Sequence, residues 1–220
     1  MFNIAIDGPA GAGKSSIARA AAAQLGFIYV DTGALYRTVA LGALKRGIRP
    51  EETDAIVALL PELDVAMEFV DGEQRVLLNG EDVSEAIRQP EVSGAASTVS
   101  AIPAVRQFLF DLQQNMAKEH DVLMDGRDIG TVVLPDAQLK IFLTATPEER
   151  ARRRYEQIKD TSDVTYEEIL RDINQRDYQD THREIAPLKQ AEDAVYLDTT
   201  DMSFDEVVDA ILSLTKERQA

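Results

Sequence analysis

Residues 4–20 read IAIDGPAGAGKSSIARA, and the centre of this stretch carries the spacing G-x-x-x-x-G-K-S. An apolar run typical of buried parallel strands precedes it, and an Ala-rich run with helical periodicity, closed by Gly26, follows it. A phosphate-binding P-loop needs this order of strand, loop and helix, because backbone N–H groups and the helix dipole then face the anion. The stretch predicts a nucleotide-binding α/β fold; the alternative is a flexible turn before an ordinary helix.

The P-loop pattern predicts individual contacts with a bound nucleotide. Lys14 would reach the β- and γ-phosphates of ATP, and the hydroxyl of Ser15 would bind Mg²⁺. Magnesium, bound together with ATP, is therefore the predicted cofactor. The predicted ATP-binding residues are Gly8, Pro9, Ala10, Gly11, Ala12, Gly13, Lys14, Ser15 and Ser16.

The composition describes an ordinary globular protein. The 220 residues, 45% of them hydrophobic, can bury the core of one domain. There is no cysteine, which excludes disulfides and thiolate chemistry, and the two histidines, His120 and His182, lack a zinc-ligand spacing. We expect a cytoplasmic protein, since no signal-peptide pattern and no run of membrane-spanning length is present. Nothing in the sequence demands a dimer, so we expect a monomer.

The net charge is strongly negative, −16, with 23 Lys and Arg residues against 39 Asp and Glu residues. This charge repels nucleic acids and anionic membrane surfaces, so we expect neither as a partner. It also opposes an anionic nucleotide. A phosphate site in this chain therefore needs a local cluster of arginines and lysines.

Five short apolar runs predict parallel strands, because helix-periodic sequence separates each run from the next. Capping patterns predict helix starts at Thr146, at Thr165 with Glu168, and at Ser203 with Glu206. The fold class is therefore α/β. The five runs are FNIAID (2–7), FIYVD (27–31), DVLMD (121–125), LKIFLTA (139–145) and AVYLD (194–198).

Two segments depart from the regular alternation of strands and helices. Residues 63–80 hold two strand-like runs around Asp71 and Gly72, which predicts a β-hairpin inserted into the α/β core. Residues 150–183 are dense in charge, ending one helix and building another. We expect the hairpin to belong to a substrate-side region.

The second predicted strand is followed by DTGALYR, residues 31–37. This places an acid, the hydroxyl of Thr32 and, one helical turn on, Arg37 at the carboxyl edge of the sheet, where open α/β folds bind ligands. Arg37 would hold a second phosphate group facing the P-loop. The alternative is a helix N-cap followed by a solvated arginine.

The third predicted strand is followed by DGRDIGT, residues 125–131, at the same edge. Asp125 occupies the place of a Walker-B-like acid and would order water around Mg²⁺. Arg127 and Asp128 would point toward the same crevice. The alternative for this pair is a surface salt bridge.

Two helical patterns carry little information by themselves. Ser97 and Arg106 flank a helix break at Pro103, which is typical of an ordinary polar helix face. Arg176, Asp180 and Arg183 follow one another at i, i+4 and i+7, and such a charged stripe usually faces solvent.

Taken together, these stretches resemble the bacterial cytidylate kinase family, the CMP/dCMP kinases of the nucleoside monophosphate kinase group. The resemblance runs nearly from end to end, and the combination of motifs is far more specific than the P-loop alone. The motifs are IAIDGPAGAGKSS, DTGALYR, NGEDVSEAIR, SxxxAxxxVR (97–106), DGRDIGTVVLPDA and RDxxDxxRxxAPL (176–188).

The resemblance implies a single kinase domain, residues 1–220, that looks like adenylate kinase. Its P-loop core would contain a five-stranded parallel sheet flanked by helices, with a hairpin-containing monophosphate-binding region at about 31–107 and a mobile helical lid at about 150–183. The catalytic residues that it implies are Lys14, Arg127, Arg176 and Arg183. The CMP-binding residues that it implies are Thr32, Arg37, Ser97, Arg106, Arg127, Asp128, Arg176, Asp180 and Arg183.

The implied reaction converts ATP and CMP or dCMP into ADP and CDP or dCDP. A carboxylate beside an arginine offers cytosine an acceptor for N4 and a donor for N3 or O2, and Asp128 and Arg106 fit those roles. One alternative is a kinase of the same fold for UMP or another small acceptor. Another is a nucleotide-gated switch without catalysis, which a second arginine cluster facing the P-loop argues against.

Overall fold

The structure is a computed structural model and describes residues 1–70 and 73–219. Its strands are β1 (Asn3–Asp7), β2 (Ile28–Asp31), β3 (Val65–Val70), β4 (Glu73–Leu78), β5 (Glu81–Asp82), β6 (Val122–Gly126), β7 (Leu139–Thr144) and β8 (Val195–Asp198). Five of them form a parallel sheet in the order β2-β6-β1-β7-β8. The five predicted parallel strands are confirmed.

Helices flank this sheet, as predicted. Alternate residues of β1 face opposite sides: Ile4 and Ile6 are buried in one cluster with Ala18 of helix α1 (Lys14–Leu25), and Ala5 is buried in another with Ala117 of helix α5 (Pro103–Glu119). Because both faces of the central strands are covered, Ile4, Ala5 and Ile6 of β1 are consecutive buried apolar residues, and no alternation with polar residues is seen there. Within the described residues, no helix combines the length and the apolar character that spanning a bilayer requires. The helices are α1 (Lys14–Leu25), α2 (Thr32–Lys45), α3 (Thr53–Leu59), α4 (Pro90–Val99), α5 (Pro103–Glu119), α6 (Pro147–Ile158), α7 (Tyr166–His182) and α8 (Phe204–Gln219).

The parallel register brings the carboxyl ends of three strands to one edge of the sheet. Asp7, the last residue of β1, is level with Gly126 of β6, and Asp31 of β2 is level with Asp125 of β6. The three segments that follow these strands therefore start side by side. This edge is where the sequence places the site.

The predicted capping sites are confirmed. The Thr146 hydroxyl accepts a hydrogen bond from a main-chain N–H in the first turn of α6. Thr165 and Glu168 form a reciprocal capping box at the start of α7, and Ser203 and Glu206 repeat it before α8. Each cap satisfies backbone N–H groups that the helix itself leaves unpaired.

The predicted hairpin insert is present as an antiparallel pair, with Val65 of β3 opposite Leu78 of β4. The predicted turn at Asp71 and Gly72 lies outside the described residues. The insert packs on α2, where Leu78 joins a buried cluster with Leu35. A shared core thus attaches the insert to the helix that begins at Thr32.

The charged segment 150–183 forms most of α6 and the whole of α7, as predicted. The two helices pack on each other through a small buried cluster of Ala151, Ile169 and Ile173, separate from the main core. A small separate core is typical of a segment that can move as a unit. Its movement as a lid stays a prediction.

Candidate functional site

The P-loop follows β1, and two of its glycines have a clear structural reason. Gly8 passes so close to β7 that a Cβ atom there would lie 1.9 Å from the carbonyl oxygen of Leu143. Gly13 adopts a left-handed φ of 85° immediately before α1, a conformation that side chains disfavour. The loop therefore bends around the N-terminus of α1, where the helix dipole is positive.

The side chain of Lys14 folds back onto the loop that contains it. Its Nζ donates hydrogen bonds to the carbonyl oxygens of Gly8, at 2.7 Å, and Pro9, at 2.8 Å. Burial, followed by the nearby charge of Arg127, lowers the pKa of Lys14 to about 7. An anion bound at the loop would oppose both effects, so the lysine is placed to gain from a phosphate.

The carboxylate of Asp125, next to the P-loop, accepts hydrogen bonds from two side chains. Ser15 Oγ donates to one of its oxygens at 3.0 Å and the Tyr29 hydroxyl to the other at 2.9 Å. Thr32 Oγ1 donates to the main-chain carbonyl of Asp125 at 2.7 Å. Burial, and then the neighbouring charge of Asp31, raise the pKa of Asp125 to about 6.

The pair of Ser15 and Asp125, beside the P-loop, fits a magnesium ion. The hydroxyl of Ser15 and the carboxylate of Asp125 are hard oxygen ligands, the kind that Mg²⁺ prefers. In the part of the chain that the structure describes, no three His, Cys, Asp or Glu side chains form a metal cluster. A magnesium ion here would complete its coordination with nucleotide oxygens and water, as it usually does.

A second charged group, separate from Lys14 and Asp125, surrounds Asp128. Its carboxylate pairs with the guanidinium of Arg106 and lies 3.5 Å from Nη2 of Arg183, with all three side chains at most 10% exposed. The Arg106 guanidinium also lies over the ring of Tyr36, 5.6 Å from its centroid. Burial raises the pKa of Asp128, and the two arginines oppose that shift. This arrangement is more buried than the surface salt bridge that was the alternative.

Helix α7 contacts the turn after β6 and helix α4. Arg127 Nε lies 2.7 Å from the carboxylate of Asp180. Ser97 of α4 donates a hydrogen bond to the side chain of Gln179 at 3.3 Å. The structure thus brings Ser97, Arg127 and Asp180 together around α7, although they lie far apart in the sequence.

Two of the predicted acceptor residues have other partners. Arg37 pairs with Asp31 at 2.8 Å, in the same turn that caps α2. Arg176 pairs with Asp172, one turn earlier in α7, at 3.0 Å and largely exposed. Their roles in binding an acceptor stay predictions.

Sequence reasoning missed Asp7. Its two carboxylate oxygens accept hydrogen bonds from the main-chain N–H groups of Ile129 and Gly130, each 2.8 Å long, and so fix the turn after β6. Burial raises its pKa to about 6. The signal was available, since Asp7 ends an apolar strand in the same way as Asp31 and Asp125.

Arg150 was missed as well. Its buried guanidinium donates to the carbonyl oxygen of Ala10 in the P-loop, at 2.7 Å, and to both carboxylate oxygens of Asp177 in α7, at 3.1 and 2.6 Å. It therefore connects the P-loop with the charged segment. Residues 150–154 contain four arginines, and composition alone does not distinguish the buried one.

Comparison with known proteins agrees with this geometry. The model of the cytidylate kinase family matches residues 4–217. A protein from Caldicellulosiruptor bescii named cytidylate kinase is 55% identical over 214 residues, covering 97% of this chain and 95% of the relative. One from Geobacter sulfurreducens with the same name is 48% identical, covering 98% and 93%.

Solved structures show similarity of fold alone. An uncharacterized protein from Eubacterium ventriosum superimposes with a TM-score of 0.53 and is 11% identical in sequence. The match covers 98% of this chain and 99% of that protein.

Proposed function

The chain belongs to the cytidylate kinase family, and we propose that it transfers the γ-phosphoryl group of ATP directly to CMP or dCMP. The products are ADP and CDP or dCDP. The observation that carries the proposal is the second charged group, in which Asp128 contacts Arg106 and Arg183. Asp128 lies three residues after Asp125, in the turn that follows β6. A phosphotransferase needs a binding site for the phosphate donor and, beside it, a binding site for the molecule that accepts the phosphoryl group.

The donor nucleotide would be held by the P-loop. Backbone N–H groups of residues 8–16, apart from Pro9, and the side chain of Lys14 would bind the phosphates of ATP. Ser15 would bind the magnesium ion and Asp125 would order water around it, and the ion would supply positive charge that offsets part of the charge of the phosphates.

The acceptor would lie between α4, the turn after β6 and α7. Arg37 and Arg127 would bind the phosphate of CMP, and Asp128 and Arg106 would recognise the cytosine. Residues 31–107 would supply most of this region. The full proposed set is Thr32, Arg37, Ser97, Arg106, Arg127, Asp128, Arg176, Asp180 and Arg183.

The chemistry needs no general base, because the attacking phosphate oxygen is already anionic near neutral pH. Catalysis then consists of in-line positioning and stabilisation of charge on the transferred group. Lys14 and Arg127 would do this from the core, and Arg176 and Arg183 would join them when residues 150–183 close as a lid. Closure also excludes water, which would otherwise hydrolyse ATP.

The two alternatives predict different products. A kinase for UMP or another small acceptor would show its highest kcat/KM with that acceptor. A nucleotide-gated switch would bind ATP without releasing ADP in response to any monophosphate. The buried Asp128–Arg106 pair argues against a switch, which needs only one phosphate site. The carboxylate and guanidinium of the pair match the N4 amino group and the N3 or O2 acceptor of cytosine, which favours CMP over UMP.

An ATP-coupled assay tests the proposal. ADP release is measured with CMP, dCMP, UMP, AMP and GMP, and without acceptor. We expect rapid ADP release with CMP or dCMP, slow release with UMP, and little without acceptor. Highest kcat/KM with another monophosphate, or ADP release that does not depend on any acceptor, would refute the proposed reaction.

A further inference from the structure

Tyr29 is a buried tyrosine whose hydroxyl donates a hydrogen bond to the side chain of Asp125. It lies in β2, beside β6, and its hydroxyl donates to the first carboxylate oxygen of Asp125 at 2.9 Å. The second carboxylate oxygen accepts from Ser15 Oγ at 3.0 Å. Each oxygen of this carboxylate therefore has one side-chain donor.

We propose that Tyr29 is a positioning residue, which holds the Asp125 carboxylate in the orientation that the magnesium–nucleotide complex needs. The inference rests on the proposed function, because that function gives the donor site its nucleotide. Two donors fix the rotation of the carboxylate plane, which one donor alone would leave free. Tyr29 supplies the donor that the P-loop does not.

The ring of Tyr29 is itself held in place. The tyrosine is 7% exposed and packs in the buried cluster below the P-loop helix. The guanidinium of Arg19, in α1, lies over the ring at 5.5 Å from its centroid. A donor from the sheet can therefore hold Asp125 without help from α6 or α7.

Tyr29 and Thr32 contact different parts of Asp125. Thr32 Oγ1 binds the main-chain carbonyl of Asp125 and so fixes the backbone. Tyr29 binds the side chain. Loss of the Tyr29 hydroxyl should therefore affect the carboxylate and leave the backbone of the donor site in place.

The test is nucleotide binding by Tyr29→Phe, which removes one hydroxyl and keeps the ring. The affinity for the non-hydrolysable ATP analogue AMP-PNP is measured calorimetrically, once with excess MgCl₂ and once with EDTA. We expect affinity in magnesium to fall about 10-fold and affinity in EDTA to stay within about 2-fold, since residues that orient a metal's ligands commonly contribute 10–100-fold to metal affinity. Tyr196→Phe, an exposed tyrosine of β8, is the matched control and should leave both affinities unchanged.

Three outcomes are informative. Equal losses of affinity in magnesium and in EDTA would overturn the inference, because Tyr29 would then support only the shape of the P-loop. Unchanged affinity in both conditions would overturn it too, while the proposed function survives. Failure of the wild-type protein to bind the analogue in magnesium would instead refute the proposed donor site.

Discussion

Arg127, in the turn after β6, and Asp180, in α7, form an ion pair of 2.7 Å that connects the sheet with the charged segment. Both side chains are partly exposed, so the pair contributes about 1 kcal/mol at most. Asp180→Asn should therefore speed amide hydrogen exchange in α7 about 5-fold in the nucleotide-free protein. Asp172→Asn, in the same helix but paired with the exposed Arg176, is the control. Equal amide exchange rates of α7 in the two variants would show that the Arg127–Asp180 pair does not hold α7 in place.

Lys14→Ala should reduce kcat at least about 100-fold while the far-UV circular dichroism stays that of the wild type. A positive charge aimed at the β- and γ-phosphates in a site that excludes water is worth several kcal/mol in the transition state. Lys45→Ala, which removes an exposed lysine paired with Glu81, should leave kcat unchanged. Turnover near the wild-type rate in Lys14→Ala would remove the basis for the P-loop assignment.

Asp128→Asn should lower kcat/KM for CMP and narrow the ratio of kcat/KM for CMP to that for UMP. Uracil presents O4 and N3–H where cytosine presents N4 amino and N3, so unpaired polar groups would cost about 1–3 kcal/mol each. The asparagine amide gives O4 a donor. Arg106→Met, measured in the same way, tests the other half of the pair. A ratio that is the same in both variants as in wild type would show that neither residue recognises the base.

Asp7→Asn should change how stability depends on pH. Burial raises the pKa of Asp7 from 3.8 to about 6, so the stability that its neutral form contributes is present below pH 3.8 and lost as pH rises through 6. The asparagine does not ionise. Between pH 5 and 7.5 the free energy of unfolding of the variant, relative to wild type, should therefore rise by about 1 kcal/mol. Urea unfolding at the two pH values measures this, and a difference that does not change with pH would contradict the raised pKa of Asp7.

The sheet could be predicted because its signals are local. Each parallel strand is a short apolar run, and each predicted cap is a pair of residues three apart, such as Thr165 and Glu168. The convergence of Asp31 and Asp125 also followed, since parallel strands bring their carboxyl ends to one edge. These inferences need no knowledge of how distant helices pack.

The partners across the site could not be predicted in the same way. The pairing of Arg150 with Asp177 depends on how α6 packs against α7, and nothing in the sequence distinguishes Arg150 from the exposed Arg152. The role of Asp7 depends on two main-chain N–H groups that lie 122 and 123 residues away. Residue type says nothing about such backbone partners.

Asp177 and Asp180 lie one turn apart on α7, and each connects to a different side of the site. Arg150 connects Asp177 with the carbonyl oxygen of Ala10 in the P-loop, and Asp180 pairs with Arg127, which precedes Asp128 in the chain. A ligand on either side that displaces one pair shifts the equilibrium position of the same helix. The two binding events are then thermodynamically linked, so the factor by which ATP changes the affinity for CMP equals the factor by which CMP changes the affinity for ATP.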